Sequence, residues 1–442
     1  MTAESSDQYS HGPVPGHVTI AGWRVALIVA SFSIGVPDFF NGAHNALALG
    51  LPMAVLAAIV ASLGLCLGCC FTAVVSVRTR LSTYLLVQRS FGRYGAVMIN
   101  VVIALIHYGA FGMNASFFGE SLVTAAEANG VPANFTLFVI LGSVLAASAT
   151  LIGIRALEWL ALVIVPLLAA VFVAVAVVAL QRHGLVVTPS AHPPVPMRFG
   201  IAVSSLVGAY MLAVATMPDL SRYIGTPRGA IASMAMAFPI STPLMMTAAA
   251  LPALATGEPS VNRLVVDLGL GTPLLFVLAL PMVVCNALNL YSSSLAMGTT
   301  FPRVPTRLFT VLGASIGTIF ALIGILDYFI PFLVFLGLII PPIAAIYVID
   351  SFTLFRDVDS AASVRAMPAI RWEAVGVWLA SLAVTVAMPA DGLTLTTVPA
   401  LDATIVAAVG YLVVLRVKQV FMRPRAANGP DDGAGEGAGN VA

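Results

Sequence analysis

Charge is scarce in this chain. Only 9% of its 442 residues are Asp, Glu, Lys or Arg, where a soluble domain carries about 25%. A chain so poor in charge cannot cover a water-facing surface, so its outer face must meet lipid. The net charge of +1 leaves nothing to neutralise a run of phosphates, which excludes nucleic acid as a partner. Cysteine is also sparse: Cys66, Cys69, Cys70 and Cys285 all lie in apolar stretches. Cys66 and Cys69 have C-x-x-C spacing and share a helix face with Cys70. The run lacks the second Cys pair or the histidines a zinc site needs, so it reads as small buried or lipid-facing residues with no metal. There is no Ser/His/Asp set, HExxH or phosphate-cradling Gly loop, so the chain reads as neither an enzyme nor a cofactor binder. A sensor would carry a soluble output domain, and residues 424–442 are too few for one. The first 21 residues lack a basic region followed by a short apolar core, so no cleavable signal peptide is expected.

What the chain has is apolar length. Sixty per cent of it is hydrophobic and its mean hydropathy is +1.01. A helix needs roughly 20 apolar residues to cross the hydrocarbon layer. Apolar runs between charged or Pro/Gly breaks give twelve candidate spans: 22–49, 52–77, 94–123, 133–153, 156–181, 198–218, 229–255, 271–297, 306–325, 328–350, 372–389 and 398–420. With the N-terminus inside, 17 of the 20 Lys and Arg fall on the cytoplasmic side, and only Arg182, Arg198 and Arg263 fall outside. Cytoplasmic loops are enriched in Lys and Arg, so count and orientation support one another. The expectation is a multi-pass protein of the cytoplasmic membrane with both termini inside. Residues 1–21 form a cytoplasmic N-terminal segment, 22–355 a ten-helix transport core and 356–420 two further helices. Residues 421–442 read as a disordered tail, rich in Gly, Pro, Asp and Ala.

Several spans hold polarity that lipid would not tolerate. The first contains Gly35, Pro37, Asp38, Asn41, Gly42, His44 and Asn45. Non-helical backbone at membrane depth is tolerated only against protein or a watery cavity, so an unwound stretch is expected near Gly35 to Asn41. A simple Pro kink packed against neighbours is the other reading. Gly208, Thr216 and Pro218 interrupt the sixth span, and broken helices at matching places in two halves point to a transporter built from inverted repeats. The third span holds His107, Tyr108, Gly109, Asn114 and Glu120; the eighth holds Asn286, Asn289 and Ser292 to Ser294. Helical spacing puts Asn286, Asn289 and Ser293 on one face. Amides and hydroxyls there would pair with the edge of a heterocycle, or else hold helices together.

At these residues the chain resembles the nucleobase–cation symporter-1 family, over about residues 9–355. Tyr9-Ser10-His11-Gly12-Pro13-Val14-Pro15 is similar to the family's opening signature, and Arg78 to Ala96 to its loop between spans 2 and 3. Pro218 to Tyr223 resembles the end of span 6, Asn286 to Ser292 the span 8 motif, and Ile340 to Phe352 span 10 of cytosine permeases. The resemblance implies an all-α, LeuT-like bundle: ten helices in two inverted repeats, helices 1 and 6 broken, plus two extra helices. It places the solute between spans 1, 3, 6 and 8, with spans 5 and 10 as thin gates. His107 stands where the family often has a stacking Trp, Tyr210 at the span 6 aromatic, and Asn286 and Asn289 at the span 8 amides. Phe39, Phe40, Asn41 and His44 are the local span 1 candidates.

Val284 and Cys285 stand where sodium-coupled members place hydroxyls, and neither is a hard oxygen ligand. Asp38, His44 and Glu120 are ionisable groups within spans, so a proton is expected over sodium as the coupling ion. The expected substrate is a neutral nucleobase, cytosine or a purine. The alternatives are another small heterocycle, such as hydantoin, allantoin, a thiamine precursor or a vitamin-B6-like ring. Oligomeric state is not legible from the sequence.

Overall fold

The computed structural model describes residues 13–421, apart from 32, 153–154, 302, 357, 359, 366 and 389–393. The expected signature at Tyr9 to Gly12 and the tail from residue 422 lie outside the described residues. In chain order the helices are α1 (Gly22–Ser31), α2 (Val36–Leu49), α3 (Leu51–Thr79), α4 (Thr83–Phe91), α5 (Arg93–Ala128) and α6 (Phe135–Ile152). They continue with α7 (Arg155–His183), α8 (Phe199–Ser221), α9 (Pro227–Thr256), α10 (Val261–Asp267), α11 (Pro273–Thr300) and α12 (Thr306–Leu322). A 3₁₀ turn (Ile325–Tyr328) leads into α13 (Phe329–Phe352), followed by α14 (Ser360–Arg365), α15 (Trp372–Ala387) and α16 (Pro399–Phe421).

Among the described residues eight helices are long and apolar enough to cross a membrane, or nine if the bent pair α1–α2 counts as one span. Three shorter apolar helices, α6, α12 and α15, occupy the other expected positions. The chain is therefore a multi-pass, all-helical membrane protein. The short α4 and α10 lie between spans.

The first span is broken, but not where the sequence suggested. α1 and α2 meet at 64°, and Gly35 is extended (φ −150°, ψ 161°) as the residue before the second helix. Pro37 sits in the first turn of α2, where its missing N–H is no loss and its fixed φ suits a helix start. Proline here begins a helix rather than unwinding one, so Phe39, Phe40 and Asn41 are helical and the opening lies at 33–35. Ser33 anchors it, since its hydroxyl meets those of Ser241 (3.1 Å) and Thr242 (3.3 Å) on α9. The expected break in span 6 is a second correction. α8 runs unbroken from Phe199 to Ser221, because Pro218 falls in its last turn.

Two packed groups make the bundle. α1–α2, α3, α8 and α9 pack on one another; α5, α6, α11 and α12 form the other group. α13 lies against α8 and is backed by α15 and α16. Lipid gives helices no hydrophobic reason to associate, so contact rests on small residues and polar ties. The α8–α13 crossing shows this best. A Cβ at Gly208 would lie 1.7 Å from the carbonyl oxygen of Leu333, and Gly337 lies against the Gly208 Cα. At its C-terminal end the buried Asp350 of α13 pairs with Arg371 and accepts from the Tyr411 hydroxyl (2.7 Å). Trp378 Nε1 donates to the Ile339 carbonyl (3.1 Å). α15 and α16 thus clamp the C-terminal half of α13.

Candidate functional site

A cavity of about 170 Å³ lies where the break in span 1 faces three other helices. α2 contributes Pro37 and Asp38, α5 Ala110, Met113 and Asn114, and α8 Ala209 and Tyr210. α13 contributes Phe329, Phe332, Leu333 and Leu336. The tight α8–α13 crossing at Gly208 holds the two apolar walls together just beside it. The walls are apolar and aromatic and carry few polar groups, the usual make-up of a small-molecule site.

Asp38 is the one carboxyl in the lining. It sits in the first turn of α2, where the helix N-terminus favours negative charge. Its Oδ1 accepts a hydrogen bond from the Tyr210 hydroxyl (2.6 Å), so broken span 1 and span 6 are joined across the cavity. Its Oδ2 lies over Gly35, where a Cβ would be 2.6 Å away; glycine leaves room for the carboxyl. Asn114 is the second polar group. Its side chain is 8% exposed, and no described residue hydrogen-bonds it. Buried amides are ordinarily paired, so an amide bordering a cavity without a protein partner is set up for a ligand.

The structure separates the sequence-expected residues. Asp38 and Tyr210 are brought together in the lining. The Tyr210 ring packs on Phe238 (5.6 Å between centroids) and its hydroxyl is engaged, so it is less an open stacking face than a hydrogen-bond partner. Phe332 presents a more open ring: half-buried, it lines the cavity and rests on Gly109, where a Cβ would meet the ring at 2.7 Å. His107 lies one turn before Ala110, with Nδ1 2.8 Å from the Ile103 carbonyl, outside the lining.

Phe39 is buried against Phe172 (5.2 Å). Phe40 joins a cluster with His44, Phe117 and Phe329. Asn41 ties α2 to α8, its Oδ1 accepting from Ser205 (3.0 Å) and Asn45 (3.3 Å). His44 Nδ1 is 2.9 Å from the Phe40 carbonyl. Glu120 is half-buried towards the far end of α5, within reach of the charges of Arg263, Asp327 and Glu258. Asn286 donates to the Phe111 carbonyl (3.1 Å) and keeps a buried Oδ1 without a described partner. Asn289 is half-buried, and both amides lie outside the lining.

Sequence reasoning missed the α13 wall, because Phe329, Phe332, Leu333 and Leu336 are apolar residues in an apolar span and carry no local signal. Asn114 did carry one, an amide at membrane depth one face-repeat from His107, and His107 was preferred to it. Among the described residues no group of three or more His, Cys, Asp or Glu is placed to hold a metal ion, and all four cysteines are free.

A family model described as permease for cytosine/purines, uracil, thiamine and allantoin matches residues 19–414. The cytosine permease of Escherichia coli K12 is 25% identical over 370 residues, which is 84% of this chain and 86% of that one. The inward-facing structure of Mhp1 superposes with a TM-score of 0.80 at 17% identity, covering 93% of this chain and 94% of that chain. A closed Mhp1 with bromovinylhydantoin bound, described as a nucleobase-cation-symport-1 family transporter, gives 0.73 at 18% identity over 93% and 96%. A sodium-coupled sialic acid symporter gives 0.66 at 12% identity over 93% and 92%.

Proposed function

Because this chain belongs to the family of permeases for cytosine and purines, uracil, thiamine and allantoin, we propose that it carries a nucleobase-like heterocycle into the cell by cation symport. The coupling ion is a proton rather than sodium, and the site is the cavity between α2, α5, α8 and α13. The observation that carries this reading is the pairing of Asp38 with an unpartnered Asn114 inside apolar walls. That combination is too polar for packing and too small for a macromolecule.

In this reading the ring lies against Phe332, its polar edge pairs with Asn114, and Asp38 takes the coupling proton. Asp38 favours the proton over sodium because a carboxyl bonded to a tyrosine gives few hard oxygens, and a sodium ion wants several. Asn286 and Asn289 stay candidates for contact in another facing state, since coupling demands that substrate and ion bind the two states differently. The two C-terminal helices serve as a brace on α13 and take no part in binding. The Lys and Arg distribution supports placing both termini in the cytoplasm. Another small ring, such as allantoin or a thiamine precursor, is the alternative cargo.

Uptake of labelled cytosine into sealed vesicles tests this. An imposed pH gradient drives accumulation and a sodium gradient does not. The reverse dependence refutes the proton. No uptake of cytosine, purines, uracil, allantoin or thiamine refutes the transport reading itself.

A further inference from the structure

We infer that residues 13–21 are a strap that fastens α1 to the ends of α3 and α8, so that α1 moves with α3, α8 and α9 and does not swing by itself at the break in span 1. The strap works in the same way whatever the cavity carries.

α1 has ten residues and is held along one face. Val25, Ala26 and Val29 are buried, while Trp23, Leu27 and Ile28 are exposed. It packs on α9 and touches α8. At membrane depth apolar contact alone gives a helix little reason to prefer protein over lipid. Beyond Ser31 the chain bends by 64° into α2, with Gly35 extended. An irregular stretch at the end of a helix is where a hinge absorbs backbone change. α1 is therefore free to pivot there unless its other end is fixed.

The backbone before α1 fixes it. The Val14 N–H donates to the Arg80 carbonyl just after α3 (3.0 Å), and the Ile20 N–H donates to the Tyr223 carbonyl just after α8 (2.8 Å). Ile20 also forms a parallel β-bridge with Ile224. Val14 is 3% exposed, so its side chain is an anchor as well. Between these points the Val18 N–H donates to the Pro15 carbonyl (3.1 Å), which turns the chain from one helix end to the other. The two attachment points are themselves joined. Arg80 ends α3 in the left-handed region (φ 59°), and its Nη1 donates to the Arg222 carbonyl (2.9 Å). Ser76 Oγ of α3 donates to the Pro218 carbonyl of α8 (2.8 Å). Where the strap becomes α1, a Cβ at Gly22 would lie 2.4 Å from the Ser233 hydroxyl and 3.1 Å from the Gly229 carbonyl. α1 thus starts pressed against the first turns of α9.

A swing of α1 would pull Ile20 off Tyr223 and part Gly22 from α9. Movement of the α1–α3–α8–α9 group against the α5–α6–α11–α12 group leaves all of these contacts intact. Losing the two strap hydrogen bonds should shift the fastened-to-free ratio about 5- to 150-fold.

The test uses the full-length chain in lipid nanodiscs, its four cysteines replaced by alanine, with nitroxide pairs read by double electron–electron resonance. One pair joins Leu27→Cys of α1 to Leu244→Cys of α9, and a reference pair joins Leu63→Cys of α3 to Leu244→Cys; all three positions are exposed. With the strap in place the α1–α9 distance distribution should be as narrow as the reference. Val14→Pro with Ile20→Pro removes both N–H donors and should broaden it, leaving the reference unchanged. Ile20→Leu keeps the N–H and should match the parent chain. A distribution that the two prolines leave as narrow as before overturns the inference, and so does one already broader than the reference in the parent. Hydrogen exchange on the unsubstituted chain decides the matter even if the proline variant does not fold. The Val14 and Ile20 amides should exchange at least about tenfold slower than in a free peptide, and exchange of either at the free-peptide rate would also overturn it.

Discussion

Replacing Asn114 with alanine separates binding from folding more cleanly than any other change in the cavity. The amide is 8% exposed and makes no hydrogen bond to a described residue, so truncating it breaks nothing inside the protein. Alanine is also the better helix former, so folding should change by less than about 1 kcal/mol. Binding should respond differently. A carboxamide can both donate to and accept from a heterocycle edge, and each such bond contributes about 0.5–1.5 kcal/mol net. Losing both costs about 1–3 kcal/mol, or roughly a 5- to 150-fold weaker Kd. Equilibrium binding of labelled cytosine to purified protein reads the affinity, and thermal unfolding of the same sample reads stability. An unchanged Kd with unchanged stability would remove Asn114 from the site. A large loss of stability would show that the amide has a structural partner after all.

Phe332→Ala removes the half-buried ring that rests on Gly109. It should weaken cytosine binding about 2- to 10-fold through lost ring contact, whereas Phe332→Tyr keeps most of the affinity in the same assay. Gly208→Ala forces a methyl group into the Leu333 carbonyl, 1.7 Å from where it would sit. It should lower the unfolding temperature sharply, while Gly376→Ala, which meets nothing within 4 Å, should leave it unchanged. Asp350→Ala strands the buried Arg371 without its carboxylate and should cost about 3–5 kcal/mol. Swapping both partners for apolar residues should recover most of that stability, as read by thermal unfolding.

Much of the fold was legible because lipid imposes a simple rule. Apolar runs long enough to cross, set off by arginines, place the long helices, which overlap the expected segments; the short α4, α10 and α14 lie between them. The break in span 1 was legible too, from Gly35 and Pro37 together. Its position was not, because a proline inside an apolar run reads equally as a kink or as a helix start. Only the extended backbone at Gly35 distinguishes the two. Pro218 misled for the opposite reason. With Gly208 and Thr216 in the same span it reads as an interruption, yet it falls in the final turn of a continuous helix.

The site divided along similar lines. Asp38 and Tyr210 stand out in a sequence as polar groups at membrane depth, and they meet at 2.6 Å. His107 and Asn114 stand out equally on one long helix and lie on nearly the same face of it; height along the axis decides between them, because the cavity borders Ala110, Met113 and Asn114 and stops short of His107. Asn286 stood out for its chemistry, yet its amide donates to the backbone at Phe111. The α13 wall was hidden altogether. Its aromatic and aliphatic residues matter through the space they bound, and sequence does not record space.

The most direct test is a map of the purified full-length protein determined with saturating cytosine. The account predicts ring density between Phe332 and the Asp38–Tyr210 pair, within hydrogen-bond distance of the Asn114 amide. A base resolved instead against His107 or Asn289, with the space beside Asn114 closed by side chains, would contradict it.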